Sequence, residues 1–465
     1  MKRFFLFILT LAWVTVVAIG CAHYHVNQPI KELQPNAGYR AVHIKDLENS
    51  DHILLYLTFS GGGTRAASLS YGVLEELKKT EVVIDGRKGR LLDEVDGIAG
   101  VSGGSFTAGY YGLFGDRLFE DFESKFLKKN IQRKLVLGVL NPINWFKFFS
   151  GTYGRSDQAA EYYDKHVFEG KTFGDMAARK GPIIVINATD MSWGTRIGFT
   201  QDVFDLICSD LSQYPVARAA AASSAVPMAL SPITLRNYAG TCGFKIPGMF
   251  EEMLKSRSVS ERQFYLANNL SVYLDSEKKR YIHLVDGGVA DNLGLRAVLD
   301  RVIGRGSVWE TIKGTPWEKA RKIVFIVVNA ETEPDRKWDR TERIPPFGAM
   351  ASAYSGISIE RYNQETLALL KESVKSWANE IKTGRCKGGA VSTEPGSCGD
   401  ITFYVVEVKF DALKDERERL YYKRLPTSFK LPPEQVDELR DVAHRILDDS
   451  EEFQRLLRDL RQEPN

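Results

Sequence analysis

Residues 100–104 read Gly-Val-Ser-Gly-Gly, which places one serine, Ser102, among closely spaced glycines. The spacing matches the G-x-S-x-G pattern of a nucleophile elbow, a tight strand-to-helix turn that exposes a serine hydroxyl. Glycines suit this turn because the backbone is strained at the serine and the flanking positions leave no room for a Cβ atom. We count Gly103 as an auxiliary residue of the turn. A Gly/Ser-rich surface loop would have the same sequence pattern. A catalytic interpretation therefore requires further catalytic residues elsewhere in the chain.

Three consecutive glycines, Gly61, Gly62 and Gly63, lie between a predicted buried strand and a predicted helix. Backbone N–H groups in such a loop can point at one anion, and the helix dipole strengthens that attraction. The loop is therefore a candidate oxyanion hole for a reaction at Ser102. For Arg65, just after it, we weigh three roles: holding this loop, binding a phosphate, or a surface salt bridge.

A serine nucleophile needs a base, and the histidines that follow Ser102 are poorly placed for that role. His166 precedes any suitable acid, His283 lies inside a predicted strand, and His444 lies on a charged terminal helix. Asp286 is better placed, because it ends an apolar strand and begins an Asp-Gly-Gly turn. A partly desolvated carboxylate at that point can accept the serine proton. In isolation, the sequence Asp-Gly-Gly would indicate only a structural turn.

Residues 61–66 also fit a second pattern, the relaxed dinucleotide-binding fingerprint Gly-x-Gly-x-x-Ala after a strand. Glu81 or Asp85 would then be the acidic residue expected about twenty positions later. A Rossmann-type NAD(P)-dependent oxidoreductase is therefore an alternative function. It leaves Ser102 and Asp286 without a role.

The composition is that of a globular protein with a sizeable core. The chain has 465 residues, of which 43% are hydrophobic and 26% charged. Because 62 Lys and Arg residues nearly balance 60 Asp and Glu residues, no concentrated basic surface for nucleic acid is predicted. No internal repeat is visible.

Apolar runs that alternate with helix-periodic segments predict an α/β fold with a mostly parallel sheet. No linker interrupts residues 51–465, so we expect one domain with helical insertions and a C-terminal strand and helical extension. The predicted strands are 52–59, 182–187, 281–285, 322–328 and 401–408, and the predicted helices include 66–79, 217–224, 359–377 and one or two within 433–461.

The N-terminus reads as a targeting signal. Lys2 and Arg3 precede an apolar run over residues 4–19, which is short for a membrane span, although an uncleaved anchor is the alternative. Residues 18–21, Ala-Ile-Gly-Cys, resemble the lipobox of bacterial lipoproteins, with Ala where Leu is usual. That resemblance implies a lipidated Cys21 at the mature N-terminus.

This resemblance also implies a location. Ala22, directly after the cysteine, favours sorting to the outer membrane, so we expect a bacterial envelope lipoprotein that faces the periplasm. We expect a signal peptide over residues 1–20, a tether and lead-in over 21–50, and membrane contact through Cys21.

The other four cysteines are even in number, as expected where disulfides form. Cys386 and Cys398 bracket a Gly-rich segment and are predicted to pair, which leaves Cys208 with Cys242. Four free thiols are the alternative. The spacing does not indicate a metal site.

Residues 144–149, Asn-Trp-Phe-Lys-Phe-Phe, form an aromatic cluster with two interpretations. It is either a lipid-facing lid or membrane contact, or buried core beside the helical insertion.

Taken together, these blocks resemble the patatin-like phospholipases. Members share a glycine-rich oxyanion loop with a following Arg or Lys, a G-x-S-x-G nucleophile and an Asp-Gly-Gly or Asp-Gly-Ala base. Two more blocks are similar, Ala-Ser-Ser-Ala-Val-Pro at 222–227 and Asp-Asn-Leu-Gly at 291–294. The blocks stand in family order over residues 53–294. Ser60 and Ala66 depart from the usual Asp and Gly.

The resemblance implies a patatin-like three-layer α/β/α fold and a lipid acyl hydrolase, a carboxylic ester hydrolase of class EC 3.1.1. It implies a Ser–Asp dyad, with Ser102 as nucleophile and Asp286 as base, that acts on a phospholipid or other acyl lipid through an acyl-enzyme. Neither a cofactor nor a metal is implied. A catalytically silent envelope scaffold with the same fold is the non-enzymatic alternative.

Overall fold

The computed structural model describes residues 22–40, 49–227, 229–255, 257, 260–333, 337–387, 399 and 401–461. The expected signal peptide, Cys21 and Cys398 lie outside these residues, so those interpretations stay predictions. Within the described ranges, no helix is long and apolar enough to cross a membrane.

A mixed sheet of eight strands forms the centre of the described structure. Its spatial order is β8-β7-β1-β2-β3-β6-β5, and the short β4 pairs with β3. The strands from β8 to β3 are parallel, whereas β4, β5 and β6 are antiparallel to their neighbours. The predicted mostly parallel sheet is confirmed. The strands are β1 (Ile53–Phe59), β2 (Val95–Val101), β3 (Ile183–Asp190), β4 (Arg196–Gly198), β5 (Ile233–Arg236), β6 (Tyr281–Val285), β7 (Lys322–Asn329) and β8 (Thr402–Lys409).

The register of the strands brings three strand ends to one edge of the sheet. Phe59 at the end of β1 pairs with Gly100, and Val101 at the end of β2 pairs with Asn187. Strand β6 runs in the opposite direction and overlaps β3 by only two pairs, the last being Val285 with Thr189. The residues that follow β1, β2 and β6 are therefore neighbours at the carboxyl edge of the parallel strands, where sites of α/β proteins form.

Helices cover both faces of this sheet and complete the three layers. The α-helices are α1 (Gly63–Lys79), α2 (Gly103–Phe114), α3 (Leu118–Phe122), α4 (Ile131–Leu140), α5 (Pro142–Phe148), α6 (Arg155–Tyr163), α7 (Phe173–Ala178), α8 (Gln201–Leu206), α9 (Val216–Ser223), α10 (Gly248–Lys255), α11 (Glu261–Ser271), α12 (Gly288–Asp291), α13 (Arg296–Arg305), α14 (Val308–Ile312), α15 (Phe347–Lys387), α16 (Glu416–Arg424), α17 (Pro433–Asp448) and α18 (Glu451–Arg461). Two small antiparallel pairs lie outside the central sheet, Gln28–Pro29 with Ser209–Asp210 and Glu81–Ile84 with Arg87–Arg90.

Helix α1 is held tightly because the chain behind it comes very close. A Cβ atom on Gly72 would lie 2.7 Å from the carbonyl oxygen of Arg440, so only glycine lets α17 pack at this distance. The guanidinium of Arg440 also bonds both carboxylate oxygens of Glu75, at 2.8 and 2.9 Å. Bidentate pairs of this kind fix orientation as well as distance. The N-terminus of α1, which carries the three glycines, is thereby fixed relative to the sheet.

Cys208 and Cys242 form a disulfide with a Cα–Cα distance of 5.5 Å. This is the pair expected for those two cysteines. The proposed partner of Cys386 lies outside the described residues, so the pairing of Cys386 with Cys398 stays a prediction.

Candidate active site

Ser102 occupies a strained turn between β2 and α2. Its backbone angles are φ 47° and ψ −118°, a region that residues with a side chain rarely adopt. Such strain persists only where the surrounding structure imposes it, and it is the expected backbone geometry of a nucleophile elbow. The residue is 4% exposed, so the hydroxyl lies in a recess at the carboxyl edge of the sheet.

The glycines around Ser102 are required by close backbone contacts. A Cβ atom on Gly103 would lie 2.0 Å from the carbonyl oxygen of Gly63, and one on Gly104 would lie 2.6 Å from that of Phe59. Real Cβ atoms do not approach backbone atoms this closely. The elbow and the glycine loop after β1 are therefore packed directly against each other.

Asp286 lies at the same edge, where the nearby Ser102 hydroxyl favours the charged form of its carboxylate. A hydrogen bond from the Gly288 N–H at 2.8 Å fixes the orientation of the carboxylate. Although the residue is only partly buried by surface exposure, loss of water around the carboxylate is the largest influence and raises the pKa of Asp286 to about 6. The Gly288 N–H and the Ser102 hydroxyl oppose this rise because they stabilise the charged form. The structure thus brings the predicted nucleophile and the predicted base together.

The glycine loop offers two backbone donors. Gly62 and Gly63 have φ values of 144° and 60°, which favour glycine over any residue with a side chain. Among the described residues, none accepts a hydrogen bond from the N–H groups of these two glycines. The N–H of Gly61 is not available, because it donates to the carbonyl oxygen of Asn292 at 3.1 Å. Gly61 is therefore wrong as an oxyanion donor and supports the loop instead, while Gly62 and Gly63 stay the predicted donors.

Arg65 holds the loop from inside the protein. Its side chain is 1% exposed and donates to the carbonyl oxygens of Ala330 and Leu425 and to the hydroxyl of Thr427. Burial lowers the pKa of Arg65 to about 10. The surface salt bridge and the phosphate site considered for this residue are wrong, since its donors are directed to these internal oxygens. Ser60, in place of the family's usual Asp, is buried and accepts the N–H of Ala330 at 2.9 Å.

Sequence reasoning missed the role of Ser223, which connects the nucleophile to the base. Its hydroxyl accepts the Ser102 N–H at 2.8 Å and donates to the Asn187 carbonyl at 2.6 Å. Its own carbonyl accepts the N–H of Gly287, and the carbonyl of Ala225 accepts the N–H of Asp286, both at 3.0 Å. The Ala-Ser-x-x-x-Pro resemblance marked this segment, but only the fold shows that it holds both strand ends.

We expect Ser223→Ala to lower kcat by about 10- to 100-fold with little change in KM for a soluble ester. The change leaves the Ser102 N–H without its acceptor and costs about 1–3 kcal/mol of stability. The matched control is Ser224→Ala, because the Ser224 hydroxyl donates to the carbonyl oxygens of Ala220 and Ala221 in the preceding helix and not to either strand end. Steady-state kinetics at 25 °C check the prediction, and equal kcat values for both variants would contradict a positioning role for Ser223.

The histidines and the dinucleotide alternative find no support in the structure. His444 is bound by Glu75 and Glu76, with Nδ1 at 2.6 Å from Glu76, and thus helps to join α17 to α1. In a dinucleotide fold, the acidic residue would follow a neighbouring parallel strand. Glu81 instead lies in a small antiparallel hairpin, and Asp85 bonds the side chains of Ser50 and His52. The Rossmann interpretation is therefore wrong.

A cavity of about 690 Å³ lies between the sheet and helices α11, α13 and α15. Its walls combine apolar strand residues with arginines, and neither Ser102 nor Asp286 lines it. The candidate site at the strand ends is thus separate from this cavity.

The chain was compared with known protein families, curated proteins and solved structures. A family model described as patatin-like phospholipase matches residues 57–299. No curated protein matches the chain in sequence. Among solved structures, human GIVD cytosolic phospholipase A2 is similar with a TM-score of 0.43 and 13% identity, over 90% of this chain and 64% of that chain. VipD from Legionella pneumophila gives a TM-score of 0.27 and 12% identity, over 84% and 67% of the two chains. The chain thus spans less than two thirds of the length of the human enzyme.

Proposed function

The chain belongs to the patatin-like phospholipase family, and from this premise we propose that it is a lipid acyl hydrolase that works through a dyad of Ser102 and Asp286. The observation that carries the proposal is the strained serine beside a carboxylate of raised pKa, near two backbone N–H groups that have no acceptor among the described residues. A base close to its operating pH transfers protons most effectively.

In the first half-reaction, the Ser102 oxygen attacks the ester carbonyl carbon while its proton passes to the Asp286 carboxylate. The carbonyl oxygen gains negative charge, and the N–H groups of Gly62 and Gly63 stabilise it. The tetrahedral intermediate collapses by breaking the ester C–O bond. Asp286 gives its proton to the leaving alcohol, and an acyl-Ser102 ester remains.

In the second half-reaction, water replaces the alcohol. Asp286 accepts a proton from the attacking water, and the same two N–H groups hold the oxyanion again. Collapse releases the fatty acid, and the proton returns from Asp286 to the Ser102 oxygen. Atoms and charge balance over the cycle, since one ester and one water give one acid and one alcohol.

A fluorophosphonate probe tests this proposal, because it labels only a serine that is activated as a nucleophile. We expect stoichiometric labelling of the full chain and none of Ser102→Ala. Ser376→Ala, a serine exposed on α15, is the matched control and should label as the wild type does. Absence of labelling in the folded wild-type protein would instead favour the silent scaffold. Mass spectrometry of the labelled peptide identifies the site.

For the substrate and the location, the proposal rests on the family and on the N-terminal sequence. The substrate is a phospholipid or related acyl lipid. Lipidation of Cys21 attaches the enzyme to the bacterial envelope, with the outer membrane as the expected site. Mass spectrometry of the mature N-terminus, with Cys21→Ala as the control, tests the lipidation separately from the chemistry.

A further inference from the structure

Helices α4 and α5 form a hairpin, residues 131–149, whose outer side chains are apolar and exposed. The interpretation of residues 144–149 as buried core is wrong, since only Phe148 of the four aromatic side chains is not exposed. The exposed fractions are 61% for Leu140, 75% for Ile143 and 65% for Phe149. The other exposed apolar side chains of the hairpin are Val136, Leu137, Trp145 and Phe146. Soluble proteins seldom expose an apolar patch of this kind unless it binds something.

The hairpin is ordered by its own polar contacts, so what remains exposed is apolar. The indole N–H of Trp145 donates to the Val139 carbonyl at 3.0 Å, and the Asn144 amide donates to the Gly138 carbonyl at 2.8 Å. The side chain of Asn141 caps α5 by accepting the Ile143 N–H at 3.1 Å. An apolar surface whose polar groups are hydrogen-bonded can enter a lipid interface without leaving a hydrogen-bond donor unpaired.

The charge on this segment identifies the partner. Residues 128–149 contain five basic side chains and no acidic one, the basic ones being Lys128, Lys129, Arg133, Lys134 and Lys147. Lys128 and Lys147 are paired with carboxylates of neighbouring segments. Lys129, Arg133 and Lys134 have no acidic partner among the described residues, and Arg133 and Lys134 are exposed. Exposed Leu, Ile, Trp and Phe beside unpaired cations are typical of a surface that lies in an anionic lipid interface.

The hairpin is connected to the glycine loop through two consecutive residues, Ser428 and Phe429. The N–H of Gln132 donates to the Phe429 carbonyl at 3.2 Å, and the N–H of Thr64 donates to the Ser428 carbonyl at 2.9 Å. A Cβ atom on Gly63 would lie 2.5 Å from that same Ser428 oxygen. The start of α4 and the start of α1, next to the glycine loop, are therefore bonded to the same short segment.

The start of the described chain lies on the same side. The hydroxyl of Thr152, just after the hairpin, donates to the carbonyl of Ala22 at 3.3 Å. Ala22, the first described residue, therefore lies next to the segment that follows the hairpin.

We propose that the hairpin of residues 131–149 docks on a lipid bilayer with anionic headgroups and presents the dyad to that surface. The substrate orientation rests on the proposed function, whereas the docking itself requires no catalysis.

Quenching of Trp145 by bilayers tests the docking directly. The full chain carrying Ser102→Ala is mixed with phosphatidylglycerol/phosphatidylcholine vesicles whose acyl chains bear bromine, which quenches indoles at short range. We expect Trp145→Phe to remove a large part of the quenching, while the other tryptophans contribute equally to both proteins. Equal quenching of the two proteins would overturn the proposal even if the enzyme proves active.

A second set of variants separates docking from chemistry. Ile143→Ser with Phe149→Ser should lower activity on these vesicles at least tenfold and leave hydrolysis of soluble p-nitrophenyl butyrate unchanged. Val83→Ser is the control, because Val83 is also apolar and exposed but follows the far end of α1, about 25 Å from the glycine loop. Unchanged vesicle activity in the double variant would overturn the proposal.

A third experiment tests how much the unpaired cations Arg133 and Lys134 contribute to docking. Arg133→Gln with Lys134→Gln should weaken binding to phosphatidylglycerol vesicles about 10- to 30-fold and change binding to pure phosphatidylcholine little. If light scattering instead shows a dimer that the Ile143→Ser, Phe149→Ser variant dissociates, the hairpin joins two copies of the chain and lipid docking is refuted.

Discussion

Asp286→Asn is expected to lower kcat/KM for p-nitrophenyl butyrate by about 10³- to 10⁴-fold. The amide has nearly the shape of the carboxylate, and its oxygen can still accept the Gly288 N–H. It cannot take the proton of Ser102, so the attacking oxygen stays protonated. Initial rates of the purified variant, with circular dichroism to verify folding, provide the measurement.

The same chemical change five residues later provides the control. Asp291 is also buried, and its carboxylate accepts the N–H of Arg296 at 2.8 Å, a bond that an amide oxygen can keep. Asp291→Asn should therefore retain activity within about tenfold of the wild type. More than a tenth of the wild-type rate in Asp286→Asn would show that another group acts as the base.

Much of this site could be predicted because its parts are local in sequence. A buried strand, a glycine turn and a helix occur twice, at Gly61–Gly63 and around Ser102, and each unit is complete within about thirty residues. The contacts of Gly103 with Gly63 then follow from adjacent parallel strands. Local patterns of this kind determine their own geometry, so the sequence predicts them well.

Features that depend on how distant segments pair could not be predicted. Strand β6 reads like the parallel strands, but it is antiparallel and places Asp286 at the edge through an overlap of two residue pairs. The bond from Gly61 to Asn292 and the bond from Ser102 to Ser223 join residues more than a hundred positions apart, and the bond from Ser223 to Asn187 joins residues 36 positions apart. Neither composition nor periodicity contains these partners.

Helix lengths and the exposure of side chains were likewise difficult to predict from the sequence. The helix predicted over 359–377 extends from Phe347 to Lys387 in the structure. The sequence predicts only the middle because the two ends are more polar or less periodic. The aromatic cluster of 144–149 has the same hydrophobic spacing whether it is buried or exposed. Only the neighbouring elements decide which, and here they leave it uncovered.

The pH profile of the wild-type enzyme should have an acid limb near pH 6. Because burial raises the pKa of Asp286 to about 6, the base is ionised above this pH and protonated below it. We expect kcat/KM for the soluble ester to fall tenfold for each pH unit below about 6, whereas an ordinary Asp would keep full activity to about pH 5. Rates measured from pH 4.5 to 8 check this. Since burial also raises the pKa of Asp291, to about 7, the Asp291→Asn variant must keep the limb if Asp286 is its cause.

The raised pKa of Asp286 also affects stability, and it lowers stability over the pH range in which activity rises. Between the ordinary Asp pKa of 3.8 and about 6, the folded protein binds a proton at Asp286 that the unfolded chain does not, so this residue stabilises the fold at low pH. That contribution is lost as the pH rises through about 6, the range in which activity appears. Urea unfolding should therefore show Asp286→Asn to be more stable than the wild type at pH 7.5 by about 1–3 kcal/mol, and similar to it at pH 4. Because Asp96 and Asp291 remain in both proteins, their own raised pKa values cancel in the difference. A variant that is inactive and no more stable at pH 7.5 would mean that the folded protein keeps Asp286 charged at little cost, and the acid limb would then move toward pH 4.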